Sequence, residues 1–356
     1  MMKIAIVTNI PAPYRNPVYS ILDKFDDINL LVLFCSHTEP NRSWKLPEID
    51  YEHKFLSQKD DTFVHANWNV LKELNLFNAD VVITAGFNPT MLLAWIWTFF
   101  KKRSHIPISD ANLHSESKLS IFHRLIRKLI YKTSAAFIGA SNKTLELYKT
   151  YNIDESRFFK SCLAIDNKSF RPANNIEKKF DLLFCHQFNE RKNPLFFVEL
   201  ARLVNDLKPG IQVLLIGNGP LKEKTIEKLK DYLINYYDAG FVQPADIIKF
   251  YQASKILIFP TRKDPWGLVA NEALAAGVPV LVSSVAGVAD ELVINGFNGF
   301  VFENFDTHSW VEKIYQLLID EDLYDNMSKN AIHSVDQYTH IEAAKGIYNA
   351  AKVARI

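Results

Sequence analysis

In FPTRKDPWGLVANEALAAGVPVLVSS, Phe259 to Ser284, an apolar run ends at Pro260, a polar loop carries Asp264, and a helical pattern opens at Gly267. A second apolar run, VPVLVS (Val278 to Ser283), follows directly. Strand, crossover helix and strand form the unit from which parallel sheets are built. Similar short apolar runs recur along the chain: Ile4 to Val7, Leu30 to Phe34, Val81 to Thr84, Ala135 to Gly139, Asp181 to Cys185, Gln212 to Gly217 and Lys255 to Pro260. Such runs suit strands covered by helices on both faces. Helical patterns lie between them, as at Leu195 to Leu207 and Leu221 to Ile234. The reading is an α/β protein of two doubly wound, Rossmann-like domains.

The size and composition agree. With 356 residues, 48% of them hydrophobic and 23% charged, the chain is long enough for two cores and too apolar for general disorder. Its 41 Lys and Arg balance 40 Asp and Glu, so no chain-wide positive field exists to hold a nucleic acid. Cys35, Cys162 and Cys185 are widely spaced in or beside apolar runs, which argues against a disulfide framework or metal site and for a cytoplasmic setting. The opening MMKIAIVTNIPAP reads as a first strand with no export signal. The longest apolar stretch, Met91 to Phe100, is half of the roughly 20 residues that a membrane-spanning helix needs.

The seam between the domains is expected in the polar stretch Arg171 to Lys179, which gives domains of 1–170 and 180–336 with a linker at 171–179. A terminal helix over 337–356 is expected to pack back toward the first domain. Of 12 glycines, only Gly86 and Gly139 precede position 210, so close approach of backbone to a ligand is expected in the second domain.

The end of a strand followed by a helix start is where open α/β sheets bind ligands. Gly267, Leu268 and Val269 offer free N–H groups for a diphosphate there. Glu272 sits among apolar helix residues and must find partners, which two vicinal ribose hydroxyls would supply. Asp264 lies nearer whatever the diphosphate carries. The alternative is structural, with Asp264 capping the helix and Glu272 in a salt bridge. Gly217 and Gly219 permit a tight turn, but Lys222 stands where a dinucleotide fingerprint needs its third glycine, which argues against NAD. Gln187, Arg191 and Lys192 follow a strand end, where they would meet phosphate oxygens or simply be solvated. Asn295-Gly296 and Asn298-Gly299 read as structural turns.

In the first domain, Asp110 and His114 follow the strand near Pro107 and are candidates for contact with a reacting group; an idle loop histidine is the alternative. Lys118 to Lys132 reads as a basic amphipathic helix. From Phe100 to Lys132 there are eight Lys or Arg against two acids. Together with Trp95, Trp97, Phe99 and Phe100, this segment (95–132) is either an anionic-membrane contact or a core-packed helix with a solvated face.

Taken together, these pieces resemble glycosyltransferase family 4, retaining enzymes of the GT-B fold in which two Rossmann-like domains face each other across a cleft. The most specific part is DPWGLVANEALAAGVPV, with acidic residues eight positions apart ahead of an Ala-x-Gly-x-Pro-Val run. The resemblance implies that Glu272 binds the donor ribose, that Asp264 contacts the sugar or diphosphate in place of the more usual Glu, and that Gly267 to Val269 supply backbone donors. LIGNGPL is similar to the family's Gly-x-Gly-Pro loop, and GFVQPADIIKFYQAS to the segment beside the nucleobase, which puts Phe241 and Val242 near the base. Lys192 matches the family's diphosphate lysine, and Gln187 replaces its usual Arg. The first-domain His common in the family falls near Asn112. The implied reaction is transfer of a sugar from a UDP- or GDP-sugar, bound mainly by the second domain, to an acceptor hydroxyl in the first, with retention and with neither metal nor cofactor. The expected acceptor is a bacterial surface polysaccharide or lipid-linked glycan, made on the inner face of the membrane, with Asp264, Lys192 and His114 as the catalytic candidates. The alternatives are a non-catalytic nucleotide-sugar binding subunit, a GT-B epimerase or phosphorylase, and a dinucleotide oxidoreductase.

Overall fold

The computed structural model describes residues 1–40, 48–57, 63–117, 119–172 and 176–355. The chain divides into two compact units, Met1–Ala164 with His340–Ile356, and Ile165–Thr339. In the first unit the strands are β1 (Met2–Thr8), β2 (Ile28–Phe34), β3 (His53–Phe55), β4 (Val81–Ala85), β5 (Ser104–Ser109), β6 (Phe137–Gly139) and β7 (Phe158–Lys160). They form a parallel sheet in the order β3-β2-β1-β4-β5-β6-β7. In the second unit β8 (Phe180–Cys185), β9 (Gln212–Ile216), β10 (Asn235–Asp238), β11 (Ser254–Phe259), β12 (Val280–Ser283) and β13 (Gly299–Phe302) pair in parallel in the order β10-β9-β8-β11-β12-β13.

Both sheets are doubly wound. Strand order reverses at β1/β4 in the first unit and at β8/β11 in the second, and the carboxyl ends of those strands open the crevice where such folds bind ligands. The continuously apolar runs are buried on both faces: Leu182, Phe184, Ile256 and Ile258 join Phe197, Trp310 and Ile314 in one core of the second unit. Asp181 interrupts that apolar run and is buried, yet Lys255 reaches it at 3.0 Å and the N–H of Gln212 donates to it at 2.9 Å. A buried carboxylate so paired is tolerated.

The sequence reading differs from the fold at several points. The division falls between Ala164 and Ile165 rather than at 171–179, of which 173–175 lie outside the described residues. The reason is the helix Asn167–Phe170, which anchors to the second unit: the Asn167 amide donates to the Val335 carbonyl at 2.7 Å, and the Phe170 ring meets Tyr251 edge-on at 5.9 Å. The pattern read as helix to Ile234 stops at Asp231 and leads into β10. Asn298 closes a turn at 296–298 and Gly299 already opens β13, with the buried Asn298 side chain accepting from the N–H of Ile294 at 2.8 Å.

The helix His340–Ala354 belongs to the first unit. Lys352 and Tyr348 bond Asp27 at 2.9 and 3.0 Å, and Ser104 donates to the Ala354 carbonyl at 2.6 Å. A Cβ at Gly346 would lie 1.9 Å from the Lys160 carbonyl oxygen. On helix propensity alone, Gly346→Ala would gain about 1 kcal/mol. The close packing predicts the opposite sign, a loss of about 1–3 kcal/mol in urea unfolding. A stabilised variant would show that the helix does not pack in this way.

Candidate functional site

The site is assembled in the second unit where β8 and β11 end. After β8 the chain turns through His186 to Asn193 and enters the helix Pro194–Leu207. Asn189 sets that turn, its side chain accepting the Lys192 N–H at 3.1 Å, and Asn193 takes a left-handed conformation (φ 57°, ψ 50°) directly before Pro194. After β11, the Arg262 N–H donates to the Arg191 carbonyl at 2.7 Å, and the buried Thr261 hydroxyl donates to the same carbonyl at 3.0 Å. Two loops from neighbouring strands are thus fastened backbone to backbone, and Lys192 and Asp264 meet between them.

Lys192 Nζ and Asp264 Oδ2 form an ion pair with both side chains about nine-tenths buried. Asp264 Oδ1 accepts the Trp266 N–H at 3.2 Å, and its carbonyl accepts the Gly287 N–H at 3.0 Å. Burial lowers the Lys192 pKa, and the Asp264 carboxylate opposes that shift. The lysine also lies over the Phe259 ring, 4.8 Å from its centroid. His186 stacks on the same ring at 4.5 Å and is held neutral, first by its burial and then by the charge of Lys192. A Cβ at Gly267 would come within 2.3 Å of that ring, and Gly267 has φ of 115°, so the start of the helix Leu268–Ala275 rests directly on Phe259. The first N–H groups of that helix have no partner within it and carry the positive end of its dipole.

Glu272 lies one turn further along the same helix. Tyr251, from the helix Pro244–Gln252, donates to its Oε2 at 2.6 Å. The tyrosine is fully buried and contacts Cys185 as well, whose thiol burial pushes up to about 12, helped by the Glu272 charge. Burial lifts the Glu272 carboxyl to about 7, against the lowering effect of the Tyr251 bond. Glu272 thus holds a tyrosine rather than a cation, and Asp264 pairs with Lys192 and accepts a backbone N–H of its own loop rather than capping the helix.

Of the other predicted residues, Gly217 and Gly219 approach protein rather than open space. Added Cβ atoms would lie 2.0 Å from the His186 carbonyl oxygen and 2.5 Å from that of Phe188. Lys222 closes their loop, donating to the Gly217 carbonyl at 2.9 Å and pairing with Asp238 at 2.8 Å. The Gly217 N–H donates to the Gly240 carbonyl at 2.7 Å, which ties in the segment carrying the exposed Phe241 and the partly buried Val242. Gln187, Arg191 and Arg262 are exposed at the rim. Tyr251, His186 and Phe259 were not singled out from sequence, although Tyr251 stands inside the quoted GFVQPADIIKFYQAS. Among the described residues, no three His, Cys, Asp or Glu side chains form a metal-holding cluster.

The first unit has its own cavity, of about 360 Å³, at the ends of β1, β4 and β5. Asn9, Arg15, Gly86, Asp110 and Arg127 line it. His114 does not: it sits in the short helix Leu113–Ser117, away from the lining. Asn112 caps that helix, its side chain accepting the Ser115 N–H at 3.0 Å.

Residues 166–334, nearly the whole second unit, match the family model described as glycosyl transferases group 1. That unit is a glycosyl transferases group 1 domain. The chain is 24% identical over 363 residues to the N,N'-diacetylbacillosaminyl-diphospho-undecaprenol alpha-1,3-N-acetylgalactosaminyltransferase of Campylobacter jejuni, covering 95% of each chain. It is 33% identical over 130 residues to the capsular polysaccharide biosynthesis glycosyltransferase CapM of Staphylococcus aureus, a match spanning 36% of this chain and only 34% of CapM. The chain thus covers about a third of the length of that relative. In fold it is similar to Anabaena HepE, solved in complex with UDP, with a TM-score of 0.78, 13% identity and coverage of 98% and 99% of the two chains. Two parallel α/β sheets in this arrangement of strands are the GT-B fold. The group 1 domain therefore carries the Lys192–Asp264 pair, the Glu272 carboxyl and the Phe259 floor within one matched unit.

The folded group 1 domain holds a proton on Glu272 that the unfolded chain releases near the ordinary value of 4.5. Below that value the group adds no pH dependence, and stability falls as pH rises from there toward about 7. Because part of the side chain meets solvent, Glu272→Gln should gain about 2 kcal/mol relative to the native protein between roughly pH 5 and pH 8, read by urea unfolding. A pH-independent difference would show that the carboxyl is not enclosed as described.

Proposed function

We propose that the protein is a retaining glycosyltransferase that moves a sugar from a UDP- or GDP-sugar to an acceptor hydroxyl. The observation carrying this reading is the switch-point cluster of the group 1 domain, where the buried Lys192 paired with Asp264 and the helix start at Gly267 rest on Phe259, and Glu272 follows on that helix against Tyr251. A ribose suits Glu272, whose second carboxyl oxygen is left to accept from it while Tyr251 holds the first. The diphosphate suits Lys192 and the N–H groups of Leu268 and Val269, with Arg191 and Arg262 at the rim. Phe241 and Val242 would meet the nucleobase in this reading. These groups supply the positive field, so the reading requires no metal ion or cofactor.

In the proposed reaction the bond from the anomeric carbon to the diphosphate oxygen breaks as the acceptor oxygen bonds that carbon on the same face. The acceptor's proton goes to the departing phosphate oxygen. Lys192 and the helix start meet the charge that grows there. Binding of the diphosphate competes with Asp264 for Lys192, so Asp264 is freed to face the sugar as the donor enters. The cavity of the first unit, with Arg15 and Arg127 in its wall, suits an acceptor carrying phosphate, in line with the lipid diphosphate named for the Campylobacter relative. Synthesis of a surface or lipid-linked glycan follows from that choice.

Thermal unfolding with UDP, GDP, ADP and NAD tests the donor site, since a ligand at 100 times its Kd stabilises by about 2.7 kcal/mol. One nucleoside diphosphate should stabilise selectively, and Glu272→Ala should abolish that gain. With the matching sugar donor, Lys192→Ala should lower turnover by roughly 100- to 1000-fold. Stabilisation by NAD alone would point to a dinucleotide enzyme, and nucleotide binding without transfer to any acceptor would make the protein a binding subunit.

A further inference from the structure

The helix Ile121–Thr133 has one secured face and one bare one. Ser120 caps its start, accepting the His123 N–H, so it begins after Lys118, which lies outside the described residues. On the inner face Ile130 and Tyr131 are buried, and Tyr131 packs edge-on against Tyr148 at 5.3 Å and Phe137 at 5.5 Å. Arg127 pairs with Glu116 and lies over the Phe87 ring. The apolar outer residues are not core residues: Ile121, Phe122, Leu125 and Leu129 are 76, 69, 59 and 55% exposed. A core-packed helix with a solvated face would have buried them.

At 100° per residue these four positions fall in a stripe about 100° wide. Arg124, Lys128 and Lys132, spaced four apart and all exposed, form a row along one edge of it. The neighbouring helix Pro89–Lys101 adds the same chemistry. Trp95 donates to Thr133 at 2.9 Å, which fixes the two helices side by side, and exposed Phe99 and Phe100 are followed by exposed Lys101 and Lys102. Trp97 takes no part, because it is buried and bonded to Asn75 at 3.0 Å. The acid lining the adjoining depression, Glu116, is engaged by Arg127 and Tyr151.

We propose that this face docks on an anionic lipid bilayer, with the helix lying in the interface, its stripe of Ile121, Phe122, Leu125 and Leu129 inserted, and its row of cations on the headgroups. The occupant is a lipid surface because the apolar stripe is bordered by cations and by no unpaired acid among the described residues of the depression. Large exposed apolar side chains beside a basic row are what interfacial helices present. The surface is separate from the donor site and is independent of the reading of that site.

The test is co-sedimentation with vesicles of mixed phosphatidylglycerol and phosphatidylcholine, beside pure phosphatidylcholine, at low and high salt. The protein should be retained by the anionic vesicles at low salt and released at high salt. Replacing Arg124, Lys128 and Lys132 together by Glu should weaken retention roughly 100-fold, at about fivefold per cation. Phe122→Ser with Leu125→Ser should weaken it roughly tenfold or more. All five residues are exposed, so both variants should keep the native unfolding midpoint and the native stabilisation by nucleoside diphosphate. No retention at low salt, equal retention on neutral vesicles, or undiminished retention of both variants would overturn the proposal. So would a dimer in sedimentation that Leu125→Ser dissociates, which would assign the face to a second copy of the chain.

Discussion

The second unit is organised around a lysine and an aspartate held together over an aromatic ring. Lys192 and Asp264 come from loops after different strands, and each is costly to bury alone. Their pairing neutralises both, and Phe259 beneath them adds a favourable ring face to the cation. The same ring supports His186 and excludes any side chain at Gly267, so lysine, imidazole and helix start share one floor. An ion pair so placed keeps two charges desolvated and aimed.

Around the pair, backbone is packed on backbone. The Gly217-Asn218-Gly219 loop lies against the His186 to Phe188 turn, and Phe188 and Leu221 exchange bonds with it: the Phe188 N–H donates to the Asn218 carbonyl and the Leu221 N–H to that of Phe188, both at 2.9 Å. Here the glycines serve loop packing, and through it they fix the turn that presents Lys192. The first unit shows a different economy, with its polar cavity at the β1/β4 switch point and its apolar stripe turned outward. One unit thus concentrates buried charge, and the other offers a roomy cavity and an exposed amphipathic face.

Much of the fold is legible in the sequence because long inner strands are continuously apolar. β1, β2, β4, β8, β9, β11 and β12 all announce themselves in that way. Edge and near-edge strands do not: His53–Phe55, Phe158–Lys160 and Asn235–Asp238 are short and partly polar, and neighbouring strands rather than composition define them. The acidic pair and Lys192 can be picked out by spacing and by position at strand ends. Their mutual contact cannot, because 72 residues separate Lys192 from Asp264 and only the sheet order brings them together. Tyr251 was hidden for a similar reason, since nothing local distinguishes it from a core tyrosine until Glu272 is found against it. Phe259 reads simply as the last residue of an apolar run. The basic helix was legible as amphipathic, but the exposure of its apolar residues is a tertiary fact.

The most direct test of the account is diffraction from crystals soaked with the nucleoside diphosphate that binds best. The account predicts the diphosphate beside Lys192 and the first N–H groups of the helix Leu268–Ala275, with the ribose hydroxyls on Glu272 and the base toward Phe241. A nucleotide bound elsewhere, or one leaving Lys192 and Glu272 untouched, would contradict it.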